Sequence, residues 1–268
     1  MAMNDLLTST VLGIVEGLTE FLPVSSTGHL LITEHWMGAR SETFNIFIQL
    51  GAVLAVTLLY WRKIVGLVVG IHKPQNLDYV LKLAVAFALT SILGLAAKKA
   101  GWKLPDELTP VLLAVFAGAV WIFLAESRLR SLEPTSQIGW MTACAVGVAQ
   151  VLAGVFPGLS RSGATILTAL LFGVERPAAT EFAFLLGIPT MFAASLFSFA
   201  QETHFFRDLP ADSWDTLLVG FAVSGITGFA AVQWLLRYVQ SHTFIPFAWY
   251  RLALGAVLVG LLSFPWKS

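Results

Sequence analysis

Glu16 and Glu20 stand four residues apart in an apolar stretch, followed by Pro23 and the run Ser25-Ser26-Thr27-Gly28-His29. Residues four apart share one face of a helix and project together. Charge inside an apolar span is costly and marks a functional site. Without a cation such a pair would be unstable, and one member would take up a proton. The pair therefore implies a divalent metal, a nearby arginine, or a shared proton for general acid–base work. Carboxylate oxygens suit Mg²⁺ or Ca²⁺ better than zinc, and no Cys/His cluster or HExxH motif points elsewhere. A related turn, Pro157-Gly158-Leu159-Ser160-Arg161-Ser162-Gly163, follows half a chain later and supplies a cation.

Both turns suit an anion. Ser25, Ser26 and Thr27 can begin a helix after Pro23, and a fresh helix N-terminus offers unpaired N–H groups. Arg161 at membrane depth needs a counter-charge, and a phosphate suits its planar fork. The plainer alternatives are a cap without a ligand and a salt bridge from Arg161 to Glu16 or Glu20. Repetition of the turn argues against the first, and the second is compatible with anion binding. A serine is a poor nucleophile until a base takes its proton or a metal lowers its pKa. His29 lies within reach of Ser26 around the first helical turn, which favours a catalytic role over that of a core histidine. Gln150 takes the place of Glu16 in the second half, where an uncharged partner suffices. A P-loop and a Gly-x-Ser-x-Gly elbow are both absent, and His35, His72, His204 and His242 read as loop or interface residues.

The elements that position these groups are membrane elements. Of the 268 residues 57% are hydrophobic and 12% charged, with mean hydropathy +0.78 and zero net charge; soluble domains carry about 25% charged residues. Neutrality leaves no basic surface for nucleic acid. The single Cys144 can form no disulfide within the chain and reads as a buried, inert thiol. No cleavable signal peptide is expected, because the first apolar run has no basic flank and contains both glutamates. A spanning helix needs about 20 mostly apolar residues. Six stretches satisfy this: 43–61, 80–98, 109–126, 177–200, 215–236 and 246–265. Two further regions, 5–37 and 137–173, are broken by Pro23 and Pro157. Crossing twice needs about 50 Å of helix, which these lengths barely supply. Both read as re-entrant hairpins whose turns must be buried in protein or line a wet cavity.

At an offset of about 134 residues the two halves align, including their proline breaks and Ser26 over Ser160. Three crossings is an odd number, so the second half must be inverted. The expected fold is thus an all-α polytopic membrane protein forming one integral domain over 1–268. It has two inverted-topology repeats, about 1–134 and 135–268, each a re-entrant helix hairpin plus three transmembrane helices. Basic residues bias the 62–79 loop to the cytoplasm: Arg62, Lys63, Lys73, Lys82, Arg128, Arg130, Arg176, Arg237 and Arg251 lie on that side. Arg40, Lys98, Lys99, Lys103, Arg207 and Lys267 lie on the other. The acidic loop at 202–215 and both termini then face outward.

With these residues in hand, the chain resembles the undecaprenyl-diphosphatase family, also called bacitracin-resistance proteins. The resemblance spans essentially the whole length and rests on Glu16 to His29 and on Pro157 to Ile166. It implies hydrolysis of undecaprenyl diphosphate to the monophosphate and inorganic phosphate in the bacterial inner membrane. That reaction recycles the lipid carrier for peptidoglycan and other envelope polymers. It also implies dependence on a divalent cation and a site reached from the periplasmic side. On this reading Ser26 attacks the terminal phosphorus, His29 and Glu20 handle protons, and Glu16 and Glu20 hold Mg²⁺ or Ca²⁺. Arg161 stabilises the transferred phosphoryl, and Ser25, Thr27, Gly28, Ser160, Ser162, Gly163, Thr165 and Gln150 bind substrate. Ser25 and His29 stay open as alternative nucleophiles. The Ser-Thr-Gly-His turn and Ser160-Arg161 also echo type-2 phosphatidic-acid phosphatases, but that family's further histidine and aspartate are missing, so the echo reads as convergent. A lipid-phosphate flippase or anion transporter is the alternative class, since inverted repeats around an anion site are transporter architecture. Glycine faces at Gly66 and Gly70, or Gly220, Gly225 and Gly228, permit close packing within a chain or in a homodimer.

Overall fold

The computed structural model describes residues 2–102, 108–201 and 213–262, and all regular elements among them are helices. In chain order these are α1 (Ala2–Thr19), α2 (Ser26–Met37), α3 (Glu42–Leu59), α4 (Trp61–Val69), α5 (Pro74–Lys99), α6 (Leu108–Arg130), α7 (Trp140–Val155), α8 (Arg161–Leu171), α9 (Arg176–Gln201), α10 (Trp214–Tyr238) and α11 (Ile245–Leu262). Five of them, α3, α5, α6, α9 and α10, are long and apolar enough to cross a bilayer. The sixth expected crossing is α11, whose apolar part over Ile245–Leu261 is shorter. The chain is a polytopic α-helical membrane protein. Of the flanking charges, Lys103, Arg207 and Lys267 lie outside the described residues, as do His204 and most of the acidic 202–215 loop.

The breaks fall at 20–25 and 156–160, where the prolines place them. Elsewhere the boundaries have local causes. Ser41 caps α3 through the Phe44 N–H at 3.0 Å, Pro74 opens α5 at its first turn, and Gly38 ends α2 at φ 92°. Three expectations need correcting. The 62–79 stretch is not all loop. Its run Trp61–Val69 contains no proline and tolerates Gly66 within the helix, so it folds as α4, joined to α3 through Tyr60 and seated by buried Leu67. Cys144 is half-buried, because α7 turns Ala143 and Gly147 inward in its place. Arg251 is not a flanking charge; it lies within α11 at 1% exposure.

Packing is closest where small residues let backbones touch. The α10 helix packs against both α1 and α3, and α7 packs against α5. A Cβ on Gly13 of α1 would stand 2.7 Å from the Gly220 carbonyl of α10, and one on Gly147 of α7 would stand 2.6 Å from the Ala86 carbonyl of α5. At the far end of the molecule from the breaks, Glu126 of α6 is fully buried. It accepts from Arg176 Nε at 2.9 Å and from the Phe244 N–H at 2.6 Å, tying the starts of α9 and α11 to α6. Phe21, in the first break, packs edge-on to Phe184 of α9 at 5.3 Å and anchors that break in the core.

Candidate active site

Each break ends in a serine with a left-handed backbone. Ser25 has φ 75° and Ser160 φ 72°, and among the described residues these are the non-glycine positions with positive φ. Such a conformation costs roughly 1–2 kcal/mol and concentrates at functional sites. Each serine is the N-cap of the next helix. Ser25 Oγ accepts from the Gly28 N–H at 3.2 Å, and Ser160 Oγ accepts from the Gly163 N–H at 3.1 Å. By its place in the turn, then, Ser160 matches Ser25, whereas aligning the prolines sets it over Ser26. Two residues separate Pro157 from its cap against one from Pro23, and Gly158 absorbs the extra one at φ 100°. The first residues of the two new helices are therefore Ser26 and Arg161.

Glu20 joins these two positions. Ser26 Oγ donates to Glu20 Oε2 at 2.7 Å, and Arg161 Nη2 donates to Glu20 Oε1 at 3.0 Å. Glu20 is 7% exposed and the Arg161 side chain 15%. Arg161 lies over the Phe21 ring, and the missing side chain of Gly187 leaves space for its guanidinium. Its Nε and Nη1 are buried with no partner, a donor edge free for an oxyanion. The second break also braces the first. Ser162 Oγ lies 3.0 Å from the Leu22 carbonyl and 3.3 Å from that of Glu20, and Ser160 Oγ lies 3.3 Å from the Leu22 carbonyl.

His29 is held from both sides. Its Nδ1 lies 2.7 Å from the Ser25 carbonyl and its Nε2 2.7 Å from Tyr250 Oη. A carbonyl only accepts, so the proton sits on Nδ1 and Nε2 accepts from the tyrosine. The ring is thus engaged with Ser25 and Tyr250, and the group bonded to Ser26 is Glu20. Among the remaining expected residues, the N–H groups of Gly28 and Gly163 are occupied by the caps. Helix geometry leaves the preceding N–H groups, on Ser26, Thr27, Arg161 and Ser162, without intrahelical acceptors. Thr165 is fully buried and its hydroxyl bonds the Arg161 and Ser162 carbonyls of its own helix, so it offers a substrate nothing. Gln150 is buried with Oε1 unpartnered.

A pocket of 250 Å³ opens beside Ser26 and Thr27, lined by Glu16, Glu34, Glu42, Asn45 and Gln49. Glu16 is 2% exposed and its Oε2 has no hydrogen-bond partner. Among the described residues no group of three or more His, Cys, Asp or Glu side chains forms a ready metal cage. The donor set therefore fits a hard divalent cation that keeps waters and shares phosphate oxygens, as Mg²⁺ does, better than a closed protein site.

Two residues that sequence reasoning missed hold this arrangement. Tyr250 orients His29. Arg251, next to it, donates to the carbonyls of Val115 (3.0 Å), Ala114 (3.1 Å), Gly158 (2.9 Å) and Pro23 (3.3 Å). It thereby clamps both breaks to α6. An arginine inside an apolar run was the available signal.

The comparisons with known proteins fit this geometry. Residues 9–257 match the family described as bacitracin resistance protein BacA. The chain is 58% identical over 267 residues to an undecaprenyl-diphosphatase of Methylacidiphilum infernorum, covering 99% of this chain and 100% of that protein. It is 52% identical over 263 residues to one of Xylella fastidiosa, covering 97% and 100%, and 52% identical over 262 residues to one of Rhizobium etli, covering 97% and 98%. A match of this extent and identity, with both turns inside it, shows that the chain belongs to the bacitracin resistance protein family.

Proposed function

We propose that this chain hydrolyses undecaprenyl diphosphate to undecaprenyl phosphate and inorganic phosphate, recycling the lipid carrier of envelope synthesis in the bacterial inner membrane. Relatives bearing that enzyme name along nearly their whole length support the reaction. The observation that carries the mechanism is Glu20, holding Ser26 on one oxygen and Arg161 on the other where two helix N-termini meet.

Ser26 Oγ attacks the terminal phosphorus while its proton passes to Glu20 Oε2. The bond to the bridging oxygen breaks, and the lipid monophosphate leaves as an anion. Water then attacks the phosphoserine, Glu20 returns its proton to Oγ, and the water proton departs on the phosphate. Arg161 and the helix N-termini stabilise charge on the transferred group; catalysis of this kind is positioning and electrostatics. His29 keeps the Ser25 carbonyl, and so the strained turn, in place. Mg²⁺ or Ca²⁺, held by Glu16 and Glu20 with diphosphate oxygens, would neutralise charge on the substrate and its leaving phosphate.

The fold reading that goes with this is two inverted repeats, about 1–134 and 135–268, whose re-entrant pairs α1–α2 and α7–α8 meet at the site from the periplasmic side. Its support is internal. The contact of Gly13 with Gly220 recurs as that of Gly147 with Ala86, both members displaced by the same half-chain interval. The test is phosphate release by purified protein in detergent, which has no two sides to transport between. Release from undecaprenyl diphosphate that is lost with chelator is expected. No release would leave the flippase or anion-transporter reading in its place. Acid-stable, base-labile phosphoenzyme would mark a serine, with Ser26→Ala against Ser25→Ala deciding which, and the reverse would mark His29.

A further inference from the structure

Two openings flank the first break, and they differ in chemistry. The pocket beside Ser26 is lined by three carboxylates, Glu16, Glu34 and Glu42, with Asn45 and Gln49, and by the apolar Leu30, Leu31 and Ile46. On the other side a groove of 670 Å³ runs between α1, α10 and α11, lined by Leu18, Leu22, Val24, Ala230, Trp234 and Tyr250 among others. Leu22 and Val24 belong to the break itself. The hydroxyls in the groove wall all have partners elsewhere: Thr19 donates to the Val15 carbonyl at 2.6 Å, Tyr238 to the Thr243 carbonyl at 3.2 Å, and Tyr250 to His29 at 2.7 Å. Apart from the Trp234 indole N–H, the groove thus presents hydrocarbon.

Of these two openings among the described residues, the groove is the one whose chemistry suits the tail of a lipid diphosphate with its terminal phosphorus at Ser26. Hydrocarbon among three carboxylates would strip water from charge, which is prohibitive. We propose that the groove between α1, α10 and α11 binds the isoprenoid tail adjacent to the diphosphate, with Tyr250 as the wall shared by groove and site. This rests on the hydrolytic reading above. The Tyr250 ring lines the groove while its hydroxyl holds His29 Nε2, so it is a positioning residue that joins tail binding to the strained turn.

The groove and the reading fail separately. Phosphate release by the unsubstituted protein tests the reading; substitutions in the groove test the groove. Ala230 is exposed on α10, so Ala230→Trp fills the groove without entering the core. It is expected to raise KM for undecaprenyl diphosphate about tenfold with little change in kcat, the pattern of lost uniform binding. An unchanged KM overturns the proposal. Tyr250→Phe keeps the wall and loses the hydroxyl, so kcat should fall several-fold with an altered pH profile and KM should hold. Tyr250→Ala should raise KM as well; equal kinetics in the two variants would oppose the shared-wall role. A photoreactive residue at Trp234 should crosslink labelled undecaprenyl phosphate, with unlabelled product competing and phosphatidylglycerol not. At Ile226, which is 71% exposed on α10, both lipids should compete alike. Equal competition at Trp234 would mean that the groove holds bilayer lipid only.

Discussion

The two breaks are built to one plan and carry opposite chemistry. In each, a proline ends a helix, a serine at φ 75° or 72° caps the next, and a glycine N–H three residues on meets the serine oxygen. In the caps' register Ser26 corresponds to Arg161, Thr27 to Ser162 and His29 to Ala164. Upstream, Glu16 faces Gln150 across the alignment and Glu20 faces Gly154. The first turn thus keeps the acids and Ser26, the proposed nucleophile, and the second keeps the cation and two hydroxyls that brace its partner. Neither turn is a site alone. A shared backbone frame has let side chains at matching positions take complementary charges, and Glu20 is where the two meet.

The sharpest way to break this pairing is Ser26→Ala. Phosphate release should fall about 10³-fold or more while the protein keeps its gel-filtration profile, since a nucleophile is lost outright. Arg161→Ala should cost about 10²–10³-fold in kcat, and Arg161→Lys should recover only part of it because a point charge replaces a planar fork. Near-normal turnover in either Ala variant would sink the assignment. Glu16→Gln gives the first turn the residue of the second. It should weaken the Mg²⁺ dependence of activity by about 10- to 100-fold in concentration, with recovery at high Mg²⁺; an unshifted titration would remove Glu16 from cation binding. Arg251→Met strips four carbonyls of their donor and should lower stability by about 3 kcal/mol or more in chemical denaturation. The smallest effect is expected for Ser25→Gly and Ser160→Gly. Loss of the cap and relief of the positive φ nearly offset, leaving stability within about 1 kcal/mol. Ser→Ala at either position loses the cap and keeps the strain, and should be the worse change by thermal shift.

Much of this is readable in the chain because proline, charge and hydroxyl stand out against an apolar background. Pro23 and Pro157 place the breaks, and Glu16, Glu20 and Arg161 announce a site by their cost in lipid. That Arg161 pairs with Glu16 or Glu20 follows from the same cost, and the packing selects Glu20. The cap register does not, because one inserted residue is absorbed by the conformation of Gly158, which no spacing rule displays. Base assignment is equally hidden: the neighbour nearest in sequence, His29, turns to Tyr250, 221 positions away, and leaves Glu20 to Ser26. The α4 helix escapes because its apolar residues continue those of α3 past Tyr60, so composition does not mark the bend. Arg251 reads as a flanking charge when counted, and only three-dimensional packing reveals the four carbonyls it serves.

That clamp has a consequence for biogenesis. A membrane protein is synthesised from its N-terminus, so the two breaks, with Glu16, Glu20, Ser26 and Arg161, enter the bilayer before α11 exists. Until Arg251 arrives, the Pro23 and Gly158 carbonyls lack their shared donor, and the breaks meet α6 through apolar packing. The hydrogen bonds that join the two breaks through Arg251 therefore form only once α11 is in place.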